Sequence, residues 1–109
     1  MVRYVSTFGI KPGYDPEESW RVWQEVHVPA VIEGIKGLVT KYTIFRLENA
    51  DPDGKPDLFG GVEFWYKDLD CARESLKRRK PSVLNDEFAK RIINLRRVYI
   101  LEEKVVYEE

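Results

Sequence analysis

Residues 58–67, LFGGVEFWYK, decide the architecture of this chain. Successive residues of a strand point to opposite faces, so Val62, Phe64 and Tyr66 share one side and Glu63 and Trp65 the other. Large apolar groups on both sides predict a strand whose two faces are both covered. Gly60-Gly61 removes side chains where a helix, a bulge or a ligand comes close to the backbone, and the sequence leaves the three alternatives open.

Just upstream, residues 38–48, LVTKYTIFRLE, predict the strand that pairs with it, with Tyr42 and Ile44 opposed to Thr43, Phe45 and Leu47. The polar run at 49–57, NADPDGKPD, predicts a long hairpin loop, and its use as a lid is left undecided. At the N-terminus, residues 2–10, VRYVSTFGI, are rich in β-branched and aromatic types and predict a first strand that stops at Lys11-Pro12-Gly13-Tyr14. Asp15-Pro16-Glu17-Glu18 then predicts a helix start, with Asp15 as cap, Pro16 in the first turn and Glu18 at capping-box spacing. In that helix Trp20, Trp23, His27 and Val31 fall on one face, flanked inward by Val22 and Val26, while Arg21, Gln24 and Glu25 point away. Pro29 lacks an N–H and collides with the carbonyl four residues back, which predicts a kink or restart before the helix ends at Gly34. Asp68 predicts the cap of a second helix running to about Lys80; Pro81 interrupts it, and Asn85 or Asp86 caps a further turn from Phe88 to Ile92. A last strand is expected in residues 95–107.

The order β-α-β-β-α-β is that of a ferredoxin-like α+β domain, a four-stranded antiparallel sheet with helices on one face. With 109 residues it is read as a single domain spanning 1–109. Helices on one side leave the other apolar face uncovered, which predicts a homodimer packed sheet to sheet. Eighteen Lys and Arg against nineteen Asp and Glu give a net charge of -1, so no nucleic-acid or membrane partner is expected. The single Cys71 and single His27 exclude an intramolecular disulfide and a Cys/His zinc site. Without a membrane-length apolar segment or a signal-like N-terminus, a cytoplasmic location is the default.

His27 admits two readings. It is a general acid or base in an apolar pocket beside the indoles, or a half-buried ring that satisfies local carbonyls. Glu63, a carboxylate in an otherwise apolar strand, is either a pocket group held by Arg46 or His27 or a member of a cross-strand ion pair. Asp86 is a candidate partner for His27, though Asn85-Asp86-Glu87 also reads as a plain helix start. Tyr4, Trp20, Trp23, Tyr42 and Trp65 are candidates to line a site for a small hydrophobic or aromatic ligand, and the same set would also make a core. The basic run Lys77-Arg78-Arg79-Lys80 reads as a solvated helix end.

An RNA-binding alternative comes from Phe59, Gly60, Val62 and Phe64, which match part of the third-strand signature of the RNA-recognition motif. Asp57 stands where that signature wants a basic residue, and Gly61 where it wants a stacking aromatic.

Taken in order, Trp20 in the first helix, HVPAV at 27–31, GLVTKY at 37–42, GVEFWY at 61–66, and Asp86 with Phe88 resemble the EthD domain of the dimeric α+β barrel superfamily. The resemblance implies a homodimer and a cofactor-independent enzyme or accessory protein for small hydrophobic or phenolic, polyketide-like molecules, of lyase, decarboxylase, dehydratase or cyclase type. Its frequent His falls on His27, with Asp86 or Glu63 to orient it and no metal or cofactor required. The alternative is a non-catalytic ligand-binding protein. A haem-binding relative of the superfamily would place its His on the second helix, where this chain has none.

Overall fold

The computed structural model describes residues 2–51 and 58–109. Strand β1 is Val2–Ile10; helix α1 is Pro16–Val22, followed by a π-helical segment Trp23–His27 and helix α2, Val28–Ile35. Strands β2, Val39–Arg46, and β3, Gly60–Tyr66, come next, then helices α3, Leu69–Lys77, and α4, Pro81–Leu84, a 3₁₀ turn Ala89–Arg91, and strand β4, Ile92–Ile100. All pairings are antiparallel in the order β2-β3-β1-β4, the ferredoxin-like arrangement. Most of the expected 49–57 loop, residues 52–57, lies outside the described residues.

Local chemistry sets the helix starts. Asp15 accepts the Glu18 amide at 2.8 Å and Asp68 accepts that of Cys71 at 2.8 Å, each meeting a donor that the first turn cannot satisfy internally. The break expected at Pro29 takes the form of the π segment just before it, where the Val28 amide donates to the Trp23 carbonyl. The wider turn moves the preceding carbonyls out of the path of the proline ring, so the chain continues as helix to Ile35. The same widening turns Val26 out to solvent, 43% exposed, against its expected inward position. Helix α3 stops at Lys77, three residues before the expected end, because Pro81 needs an extended residue ahead of it and starts α4 instead.

Strand β4 begins at Ile92 and ends at Ile100, not at the expected 95–107, since its length is dictated by β1, which it pairs from Ile10 to Arg3. The pairing slips between Thr7 and Gly9, where Asn94 takes a left-handed conformation (φ 58°). Before this bulge Ile92 faces the helices opposite Ile10; after it Arg97 and Tyr99 do so, opposite Ser6 and Tyr4.

The inner face of the sheet carries Tyr42, Phe64, Tyr4 and Tyr99 as one row across the four strands. Tyr42 stacks on Phe64 with centroids 4.7 Å apart. Two buried clusters sit between sheet and helices: Tyr4, Ile35, Phe64, Tyr66 and Ala72 at one end, and Phe8, Val22, Trp23, Phe59 and Phe88 at the other. Gly60 belongs to the second, since a Cβ there would meet the Phe45 carbonyl of β2 and come within 2.9 Å of the Trp23 indole, so both the neighbouring strand and the helical layer approach at this glycine. At Gly61 the missing side chain makes room for the Phe45 ring, 2.8 Å from where its Cβ would lie.

Candidate active site

Between the two clusters, the sheet and helices enclose a cavity of about 200 Å³ lined by Tyr4, Ser6, Phe8, Trp23, Tyr42 and Phe64, with His27, Val31 and Phe88 on the helical side. A dry apolar cavity of ~150 Å³ already holds benzene, so this one admits a one- or two-ring molecule.

His27 ends the π segment, and its ring lies 5.4 Å from that of Phe88. Its Nδ1 is 2.7 Å from Oδ2 of Asp86, 59 positions along the chain, and both side chains are largely buried. The other oxygen of Asp86 accepts the amides of Phe88 at 3.0 Å and Ala89 at 2.8 Å. A carboxylate that already takes two backbone N–H groups is an acceptor for a third, so Nδ1 donates. The neutral ring then carries its lone pair on Nε2, and the carboxylate fixes both tautomer and ring plane. Asp86 rather than Asn85 is thus the capping carboxylate, ahead of a short 3₁₀ turn at Ala89–Arg91 instead of the expected turn from Phe88 to Ile92, and it bonds His27 at once.

Of the aromatics expected at the site, Tyr4, Trp23 and Tyr42 line the cavity, while Trp20 and Trp65 do not. Trp20 packs edge-on against Trp23 at the margin, 5.3 Å between centroids, with the Arg46 guanidinium above it. Trp65 lies on the outer face between Arg3 and Lys41, whose charges sit 5.5 and 4.7 Å from its ring. Glu63 is on that same face, 3.3 Å from Arg3 Nε. The sheet separates it from His27, so the cross-strand ion pair is the reading that holds, with Arg3 as partner; Arg46 pairs with Glu17 instead. Phe64 of the RNA-like signature faces the helices and is 4% exposed, so no base can stack on it.

Phe8, Phe88 and Arg79 complete the wall without having been named as site residues in the sequence, where Phe88 counted only toward the EthD resemblance. Phe8 was there to be found, since Tyr4, Ser6 and Phe8 alternate on one face of β1. Phe88 stacks on Trp23 at 4.8 Å and 9° between planes. Arg79 corrects the reading of the basic run as wholly solvated: it is half-buried, with Nη2 3.4 Å from the Tyr4 hydroxyl.

The Tyr42 hydroxyl and Trp23 Nε1 are buried without a hydrogen-bond partner among the described residues. Burial pushes the Tyr42 phenol well above the usual tyrosine range, and the Arg79 charge only partly opposes it. The Tyr66 phenol is raised for the same reason, although its hydroxyl donates to Ser75 Oγ at 3.0 Å. Among the described residues no group of three or more His, Cys, Asp or Glu is placed to hold a metal ion. No described helix is long and apolar enough to cross a membrane.

The EthD domain family matches residues 11–90. The chain belongs to the EthD domain family. Solved structures agree in fold. SnoaB, a cofactor-independent oxygenase from Streptomyces nogalater, is 15% identical over 98% of this chain and 97% of its own, with a TM-score of 0.61. An ethyl tert-butyl ether D family protein from Bacillus halodurans is 18% identical over 94% and 100%, with a TM-score of 0.62. A dimeric protein of unknown function and ferredoxin-like fold from Bacteroides fragilis is 15% identical over 91% and 93%, with a TM-score of 0.57. No curated protein matches in sequence. This EthD domain therefore shares its fold with proteins at very low identity, and its chemistry has to be argued from its own residues.

Proposed function

We propose that this EthD domain is a cofactor-independent enzyme acting on a small hydrophobic or phenolic molecule, with His27 as its general acid and base. The observation that carries the reading is the 2.7 Å bond from His27 to Asp86 at the wall of an aromatic cavity. Asp86 holds Nδ1, so Nε2 is the nitrogen left to exchange a proton with a substrate enol or phenol. Removing that proton places electron density on the conjugated ring, and the returned proton can be delivered to a carbon or to a leaving hydroxyl. Decarboxylation, dehydration and ring closure all follow that course, with the substrate's own conjugation carrying the developing charge. The same phenolate is also the electron-rich species that a cofactor-independent oxygenation needs, the activity named for SnoaB.

The domain works as a homodimer in this reading, packed through the outer sheet face, where Val98 is 57% exposed beside Val5 of β1, with Trp65 on β3 and Phe45 on β2 farther across the same face. A monomer by light scattering at micromolar concentration would overturn that part. For the chemistry, His27→Ala is expected to lower turnover of phenolic acids by at least ~10²-fold while the fold, by circular dichroism, is retained. Unchanged turnover would reduce His27 to a structural residue. Saturable binding with no product from any phenolic substrate would make the domain a binding protein.

A further inference from the structure

The proton chemistry of His27 leaves one part of the cavity wall without a role, its cationic rim. Arg79 follows the last turn of α3, and its guanidinium lies 5.6 Å from the Tyr4 ring centroid on the inner face. Arg97 stands on β4 opposite Ser6, two pairs along from Tyr4 and on the same face, and also lines the cavity.

Apart from Arg96, which is exposed on β4 and also has no carboxylate within ion-pair distance among the described residues, the other arginines of the chain are compensated, Arg73 by Asp70 among them. Arg3 meets Glu63 and Glu103, Arg21 meets Glu25, Arg46 meets Glu17, Arg78 meets Glu74, and Arg91 meets Glu87 and Glu18. Neither Arg79 nor Arg97 has a carboxylate within ion-pair distance among the described residues. The one acid in the lining is Glu33, and Lys36 holds it at 3.1 Å. Beside the rim the Tyr42 hydroxyl is buried with no acceptor among the described residues, and its burial keeps it a neutral phenol able to donate. Two unpaired cations and a donor therefore line one cavity, whose single lining carboxylate is already paired with Lys36.

We infer that the cavity selects an aromatic acid, whose carboxylate is held at the Arg79–Arg97 rim while its ring lies over Tyr4, Tyr42 and Phe64. This rests on the cavity being the ligand site, as in the proposed function, and adds the charge of the ligand. A half-buried guanidinium gains more from a carboxylate than from a neutral group, because a charge-assisted pair is stronger and less screened there than in water. The carboxylate also sets the ring's direction, with the anionic end at the rim and the opposite end toward His27.

The test is calorimetric titration of the full chain with 2-naphthoate and with 2-naphthamide, which share a ring system and differ in charge. Naphthoate is expected to bind on the order of tenfold to a hundredfold more tightly, with the advantage shrinking as salt is raised. Arg97→Gln, at an exposed position, and Arg79→Gln, which also gives up a bond to Tyr4, should each erase most of that advantage and leave naphthamide unchanged. Equal affinity of the two compounds would overturn the inference while leaving the cavity as a ligand site. A naphthoate preference that survives both substitutions together would overturn it too, as surface charge binding. Failure of either compound to bind would overturn the inference and the ligand site with it.

Discussion

On the inner face of the sheet Tyr42, Phe64, Tyr4 and Tyr99 form one row, while one residue along, the outer face carries Lys41, Trp65, Arg3 and Ile100 in the same four strands. The inner row is built on burial: Tyr4 and Phe64 are 2% and 4% exposed and packed ring to ring. The outer row is built on exposure at the sheet surface, where Arg3 and Glu63 keep about a quarter of their side-chain surface in solvent and charge can lie over the Trp65 ring. The difference shows how one alternating sequence serves two purposes. Shape complementarity shapes a cavity on one side, and a mixed apolar and charged surface lies on the other.

Substitution at adjacent positions breaks the comparison most sharply. Phe64→Ala should cost ~3–5 kcal/mol in urea unfolding, the usual loss for a large buried aromatic, whereas Trp65→Ala should cost about 1 kcal/mol or less in the isolated subunit. Equal losses would mean that the two faces are alike in energy. Next in size, Asp86→Ala removes a carboxylate that caps two amides and holds His27, and should cost ~1 kcal/mol together with a fall in kcat. Thermal melts and steady-state rates measured on the same preparation separate the two effects. Val98→Asp belongs to the outer face and should change subunit folding by no more than about 0.5 kcal/mol, yet shift the sedimentation profile from dimer to monomer. An intact dimer in that variant would move the interface elsewhere.

The smallest effect appears only in alkali. The folded protein holds the Tyr42 proton more tightly than the unfolded chain, whose phenol titrates near ~10. The stabilisation is therefore complete below about pH 10 and is lost as pH rises beyond it. Tyr42→Phe should flatten that loss, read as a shallower fall of the melting temperature above pH 10. An unchanged slope would show that the Tyr42 hydroxyl is solvated.

Much of this was legible because it is written in short-range chemistry. The alternation of Val62 to Tyr66 gave the two faces of β3, Asp15-Pro16 and Asp68 gave two helix starts, and His27 fell on the inward side of its helix. What stayed hidden depends on partners far along the chain. His27 and Asp86 meet only after the sheet has set the helices in place, and a helix-start motif alone cannot say which imidazole its carboxylate will face. Trp65 and Glu63 shared a face with each other, but nothing local said that it was the outer one. Arg79 sits in a run of four basic residues whose composition speaks for solvent, and only the packing of α3 over Tyr4 draws one of them inward. The extent of β4 follows β1, so its own residues gave it poorly.

The bulge at Asn94 has a consequence for how this cavity can change. Even-numbered Ile92 and odd-numbered Arg97 and Tyr99 face the helices, so the two halves of β4 keep opposite parity. Each half is then a separate module: substitutions at odd positions beyond 94 can rewrite the charge of the rim, while Ile92 goes on sealing the apolar end. If the cavity is the ligand site proposed above, specificity and stability are uncoupled within a single strand, and a lineage could exchange one ligand for another there without reopening its core.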